Sequence, residues 1–231
     1  MYRNGVLNPL AHFGKGGPSD KYQLFTADAI MGLPDEKNPM VAAPLRLHDC
    51  SLVTDGAAAL VISRTDIAMA RKDAVVEFVG LGHTTERMAI ADRENMHELI
   101  AAKKAAAEAF GEAGITSKDL KAVEVHDCFT INQLLCTEAL GLSKDGAAGR
   151  DYAAGRFSPG DACPVNLSGG LKAKGHPVGA TGASMLVLLY KQMLGKPIGA
   201  ERAAGVPDVA ATLNVGGSAV TNSVTVLRRI K

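Results

Sequence analysis

Little in this 231-residue chain is in excess, and each shortage excludes something. The formal net charge is +1 and the basic residues gather into no stripe, which argues against nucleic acid as the main partner. No apolar run approaches the ~18 residues that a membrane-spanning helix needs. The opening MYRNGVLNPL lacks the apolar core of a signal peptide. Cysteine is sparse: Cys50, Cys128, Cys136 and Cys163 form no CxxC pair and no dense framework, so reduced thiols in a cytoplasmic protein are expected. The GKGG at 14–17 lacks the GxxxxGK[ST] spacing of a phosphate-binding loop, and neither repeats nor low-complexity tracts occur.

What remains is an ordinary globular composition, 47% hydrophobic and tilted toward small residues, with 25 glycines. Residues 1–45 read as irregular, with loop signals in HFGKGGPSD and GLPDEKNP and a short helix in KYQLFTADAIM. The continuous apolar run of DGAAALVIS, Asp55–Ser63, suits a fully buried strand, and AVVEFVG, Ala74–Gly80, a second one. Between Asn95 and Gly114, apolar residues at Met96, Leu99, Ile100, Ala106, Ala107 and Phe110 predict an amphipathic helix stopped by Gly114. AVEVHDC reads as a strand ending in polar residues. TINQLLCTEALG reads as a helix capped by Thr130, with Gly141 past its end. After a polar loop over 143–162, ATGASMLVLLYKQMLG is apolar on nearly every face and predicts a core helix. VAATLNV, a Gly-Gly turn and AVTNSVTVL predict a closing hairpin, with Val220, Val224 and Val226 on one face. The sum is a layered α/β fold.

Three polar clusters fall where these elements meet loops, the usual place for active residues in such folds. In HDCF, His126 and Cys128 sit between a strand and a helix N-terminus. There the helix end and a neighbouring imidazolium would lower the thiol pKa; the alternative is a buried cysteine beside a capping histidine. In GHP, Pro177 drives His176 into an extended conformation and so pre-aims its ring, as a general base requires; the alternative is a helix start that happens to carry histidine. In NVGG, Asn214–Gly217, consecutive glycines free backbone N–H groups to meet an oxyanion, unless the segment is simply a hairpin turn. Zinc ligation by His126, Cys128 and His176 lacks a familiar module spacing, so no metal is expected.

Taken in order, VHDCF, NLSGGLKAKGHPVGATG and LNVGGSA resemble the C-terminal part of a thiolase, in the branch of the sterol-carrier-protein-type and archaeal acetoacetyl-CoA enzymes. NGVLNPLAHF and DCSLVTDGAAALVIS extend the likeness over nearly the whole chain. The resemblance implies a layered βαβαββ C-terminal thiolase domain over 71–231. It makes 50–70 the last strand of the N-terminal domain, and 1–49 a remnant of its loop region. It implies carbon–carbon bond formation or cleavage between acyl groups on coenzyme A, with acyl-CoA as substrate and no further cofactor. It assigns thiol activation to His176, the enolate oxyanion hole to His126 and His176, and acid/base work to Cys128, because Asn214 stands where many thiolases carry a C-x-G cysteine. Ser168, Gly169, Asn214, Gly216 and Gly217 are then expected at the oxyanion and substrate contacts.

The family's nucleophilic cysteine belongs to the N-terminal half, and none of the four cysteines here matches it. The resemblance therefore implies a thiolase component that is inactive by itself, completed by an N-terminal half in trans, by self-association, or by both. Two other readings stand beside it: a retro-aldol lyase acting on CoA esters, and a non-catalytic or truncated scaffold subunit.

Overall fold

A computed structural model describes residues 1–71 and 74–231, with Pro18 and Ser19 described by their backbone alone. The first part of the chain is made of short pieces: helices α1 (Tyr2–Val6), α2 (Pro18–Lys21) and α3 (Ala27–Met31), the antiparallel pair β1 (Met40–Ala42) and β2 (Leu45–Arg46), and helix α4 (Thr65–Met69). The remainder runs β3 (Val76–Thr85), α5 (Ile100–Ala113), β4 (Ala122–Val125), α6 (Thr130–Ala139), α7 (Ala148–Ala153), α8 (Gly170–Lys174), α9 (Thr181–Met193), β5 (Val209–Gly216) and β6 (Thr221–Arg229). The sheet order is β3-β6-β5-β4, with β4 and β5 parallel and the other pairs antiparallel.

Strand periodicity sorts the side chains into two layers. Val123, Val125, Ala211, Leu213, Val215, Val224 and Val226 face α5 and α6, while Ala122, Ala210 and Leu227 face Leu189 and Met193 of α9. Burying a leucine such as Leu213 or Leu189 on either side contributes ~2 kcal/mol of transfer free energy. Gly114 ends α5 in the left-handed conformation, φ 64°, so an orphaned end of the helix can close on itself. The β5–β6 hairpin forms as the sequence predicts.

The α5 stripe differs from the expected one. Met96 precedes the helix and is 64% exposed, and Ala107 faces solvent. The buried face is instead Ala102, Ala105, Ala106, Ala109 and Ala113. The reason lies across the interface: a Cβ on Gly80 or Gly82 of β3 would collide with the carbonyl oxygens of Ala109 and Ala105. Two glycines facing a run of alanines let the helix backbone lie almost on the strand, and a larger residue on either side would push the layers apart.

Four other expectations are corrected. Asp55–Ser63 is not a buried strand: it lies in no sheet, Val61 is fully exposed and Ile62 is 69% exposed. An apolar run becomes a strand only where another strand pairs with it. Here the segment lines a groove of about 1080 Å³ with Leu186, Val187 and Tyr190 of α9. For the same reason α9 is buried on one face, through Met185, Leu188, Leu189 and Met193, and not all round. Thr130 is the first residue of α6 and not its cap; its hydroxyl donates to Asp49 Oδ1 at 2.7 Å. The loop over 143–162 contains α7, whose Ala148 N–H donates to the Glu138 carboxylate at 2.9 Å. No described helix is long and apolar enough to cross a membrane.

The packing of α5 on β3 predicts that Gly82→Ala destabilises the chain by about 1–3 kcal/mol, the usual cost of overpacking. Urea unfolding followed by circular dichroism reads this out, and Gly111→Ala, which meets open space, should be neutral or mildly stabilising.

Candidate active site

The site begins with parity along β4. With Val123 and Val125 committed to the α5–α6 layer, Glu124 and His126 point to the other side. The parallel register sets Glu124 opposite Thr212 and Val125 opposite Leu213, and the His126 N–H continues the ladder to Leu213 O at 2.9 Å. His126 therefore arrives opposite Asn214, and its Nδ1 lies 2.7 Å from Asn214 Oδ1. Because that oxygen can only accept, His126 Nδ1 carries the hydrogen. The next turn is fixed by Asn132, whose amide donates to His126 O at 2.5 Å.

His176 comes from the opposite direction, on the corner between α8 and α9. Gly175 has φ 123° and ψ 159°, a conformation that favours glycine, and turns the chain out of α8. The His176 N–H donates to Thr54 Oγ1 at 2.7 Å, and His176 Nδ1 lies 2.7 Å from Thr181 Oγ1. The Thr181 hydroxyl gives its one hydrogen to Pro177 O at 3.0 Å. Toward the imidazole it accepts, so Nδ1 is protonated and Nε2 keeps its lone pair. The two imidazoles meet edge to face, with centroids 4.9 Å apart and planes at 90°.

Burial, and then the charges of His176 and Lys174, push His126 down to about 4, against the Asn214 bond that raises it. His176 is also lowered, by burial first and by Lys174 second. Both rings are neutral near pH 7, the state in which His176 can accept a proton.

Of the two readings open for Cys128, the buried thiol is the one the structure favours. Helix-end N–H groups do lower its pKa, but burial outweighs them and Asp127 adds to it, so the thiol is pushed up to about 11. It is a protonated acid at neutral pH. Cys50 and Cys136 are raised by burial as well, and Cys163 is raised to about 12. None of the four thiols is poised as a thiolate nucleophile.

Behind the histidines lies a buried polar floor whose members the motifs contain but whose role they do not show. Ser168 donates through Oγ to Glu124 Oε2 at 2.6 Å and through its N–H to Oε1 at 3.1 Å. Asp127 accepts from the Leu171 N–H at 2.6 Å, and Gly170 lies so close that a Cβ there would strike the carboxylate. Lys174 Nζ donates to Ser184 Oγ at 2.9 Å. Burial raises Glu124 to about 7 and Asp127 to about 6, with the Ser168 and Leu171 bonds opposing. Ser168 and Gly169, expected at the substrate, thus belong to this floor: Ser168 is 1% exposed with its donors spent on Glu124, and the Gly169 N–H is bound to Asn166 O. Gly216 ends β5 and Gly217 begins the turn after it, and both are exposed. The structure thus joins His126, His176 and Asn214 directly, with Cys128 two residues beyond His126. Among the described residues, no group of three His, Cys, Asp or Glu side chains is arranged to hold a metal ion.

Residues 82–229 match the family described as "Thiolase C-terminal domain-like", and the chain belongs to that family. It is 39% identical to an acetyl-CoA acetyltransferase of Methanothermobacter thermautotrophicus over 99% of this chain and 56% of that one. It is 30% identical to sterol carrier protein 2 of Rattus norvegicus, over 95% of this chain and 39% of that one. It is 33% identical to the benzoylsuccinyl-CoA thiolase subunit BbsB of Thauera aromatica, over 77% and 46%. The chain spans about half the length of these relatives, or less. The solved structure of an Ltp2-ChsH2(DUF35) aldolase shares the fold, with a TM-score of 0.79 at 17% identity over 99% of this chain and 56% of that one.

The floor makes a signed prediction for stability. A carboxylate whose folded pKa is raised costs stability as pH climbs from its unfolded value, near 4.5, through about 7. Glu124→Gln carries no such cost. Relative to wild type it should gain about 2–3 kcal/mol between pH 5 and pH 8. Urea unfolding of both proteins at the two pH values checks the sign, and a difference independent of pH would contradict it.

Proposed function

We propose that this chain supplies the enolate-handling side of a thiolase-type acyl-CoA site, with the nucleophilic thiol coming from outside these residues. The observation that carries this reading is the pair of neutral imidazoles 4.9 Å apart, one with its Nε2 lone pair left free by Thr181. Agreement with the acetyl-CoA acetyltransferase over nearly all of this chain supports it, as does the absence of a lowered thiol pKa among its four cysteines.

In the cleavage direction the protons balance as follows. His176 Nε2 takes the proton of the external nucleophilic thiol, which attacks the β-keto carbon of an acyl-CoA such as acetoacetyl-CoA. The carbon–carbon bond breaks, and its electron pair passes to the enolate oxygen of the departing acetyl-CoA. The imidazolium of His176 now has an Nε2 hydrogen to donate to that oxygen; His126, its hydrogen held on Nδ1 by Asn214, packs against that ring. The Cys128 thiol protonates the α-carbon, a task suited to a group held protonated at neutral pH. Coenzyme A then attacks the acyl-enzyme and returns its thiol proton to Cys128, and His176 reprotonates the departing nucleophile. The exposed Gly216–Gly217 turn is assigned to the acyl oxyanion. The N-terminal half supplied in trans, self-association of the chain and a cytoplasmic setting belong to the same proposal.

The same cradle would stabilise the enolate of a retro-aldol cleavage, and the fold shared with an aldolase supports this as the second reading. Release of an aldehyde or ketone from a β-hydroxyacyl-CoA, without an acyl-enzyme, distinguishes it.

The chain alone should not cleave acetoacetyl-CoA with coenzyme A; with an N-terminal thiolase half added in trans, the thioester should be consumed. In that complex His176→Ala should lower turnover by about 10²–10⁴-fold. Full activity of that variant would favour a scaffold role, and thiolysis by the isolated chain would refute the divided site. Cys128→Ala should abolish exchange of acetyl-CoA methyl protons with deuterated solvent while leaving acylation of the nucleophile measurable.

A further inference from the structure

Residues 49–56 look peripheral in sequence: they precede an apolar run and carry none of the acid/base groups assigned above. In the fold they run from one catalytic turn to the other. Asp49 accepts the Thr130 hydroxyl at 2.7 Å at the start of α6. Cys50 forms an antiparallel bridge with Phe129, and the Ser51 N–H donates to Cys128 O at 2.7 Å. Two residues past Ser51, Val53 forms a parallel bridge with His176, and Thr54 Oγ1 accepts the His176 N–H at 2.7 Å. Gly56 then packs under Pro177, where an added Cβ would come within 2.9 Å of the ring. Lys172 holds the near end of the segment by donating to Cys50 O.

Beyond the Val53 bridge and a Lys174 Nζ bond to Gly175 O at 3.3 Å, few contacts hold the corner. His176 lies outside α8 and α9, so its N–H has no helical partner. Thr54 is the partner it finds, more than 120 residues away in sequence. Main-chain bonds from His12 and Phe13 to Lys174 O and Ala173 O, both 3.0 Å, hold the end of α8 but stop short of the histidine. Thr181 fixes the tautomer and Thr54 fixes the backbone from which the ring hangs. Fixing both leaves the imidazole with one direction for Nε2.

We propose that Thr54 is a positioning residue for His176, and that residues 49–56 form a strap setting the spacing between the turn of Cys128 and the corner of His176. The proposal rests on the assignment of His176 as the base. The strap reaches the base through the bond from the His176 backbone N–H to the Thr54 hydroxyl.

The titratable neighbours facing His176 are Lys174 at the end of α8 and His126 after β4, with His12 packed against Gly175; Asp55, the strap's acid beside Thr54, is exposed. Releasing the corner admits water to the ring, so its titration midpoint should rise toward that of an ordinary histidine. Thr54→Val keeps the side-chain shape and removes the acceptor; Thr54→Ser keeps the acceptor. Nitrogen-15 NMR of the histidine rings in the full chain should show the His176 midpoint rising by about half a pH unit or more in Thr54→Val. The His126 midpoint should stay in place and report an intact fold, and Thr54→Ser should match wild type. In the complemented enzyme Thr54→Val should lower kcat about 10–100-fold with KM within about twofold.

An unchanged His176 midpoint in Thr54→Val, or a Thr54→Ser protein that behaves like Thr54→Val, overturns the proposal. If Thr54→Val does not fold, Thr54→Ala is read in the same way. Because the NMR titration needs no turnover, a shifted midpoint in a chain that yields no thiolysis even with an N-terminal half added would sustain the strap and reject the acyl-transfer reading. Thiolysis unaffected by Thr54→Val would do the reverse.

Discussion

The parallel pairing of β4 with β5 is the constraint on which the site depends. Four residues of β4 pair in register, from Ala122 opposite Ala210 to Val125 opposite Leu213. One more backbone bond, from the His126 N–H, carries the ladder past the end of the strand. That bond sets an imidazole opposite an amide, fixes the ring nitrogen that bears hydrogen, and turns the chain so that Cys128 follows at the start of α6. A slip of one residue would reverse every side chain, sending Glu124 and His126 into the alanine-lined layer beneath α5. The apolar alternation of β4 and β5 prevents it, because Val123, Val125, Ala211 and Leu213 have only one layer that accepts them.

Desolvation sets the chemistry that this register makes available. The same burial that drives His126 and His176 down drives Glu124, Asp127 and Cys128 up. The two imidazoles lose their charge and become competent acceptors; the thiol keeps its hydrogen and becomes an acid. Lys174, itself lowered by burial, biases the histidines toward neutrality while favouring charge on the carboxylates. A water-filled site would have left these groups near their solution values and removed the distinction between donor and acceptor.

The parts legible in the sequence were those whose cause is local. Gly114 closing α5, the β5–β6 hairpin and the extended corner at His176–Pro177 follow from conformational preferences that hold in a peptide. The thiolase likeness of HDCF and KGHP follows from side chains close together along the chain. Where cause was remote, the reading failed or was silent. The apolar run at 55–63 looks like a buried strand, yet pairing requires a second strand that composition cannot supply. The alanine face of α5 became intelligible only against Gly80 and Gly82 across the interface. Nothing local distinguishes Glu124 or Thr54 from other polar residues, and Ser168, singled out by its motif, faces Glu124 beneath the histidines.

By itself, then, the amino-acid order determined which residue types are available and how the backbone bends around them: two histidines at strand and helix ends, a thiol at a helix start, and a proline that straightens its neighbour. Tertiary structure alone decided that the two rings touch, that Thr181 and Asn214 choose their tautomers, and that the thiol stays protonated. Torsional preferences act within a few residues. Desolvation and hydrogen-bond partnership act through space, and they exist only once distant segments have closed around the same volume.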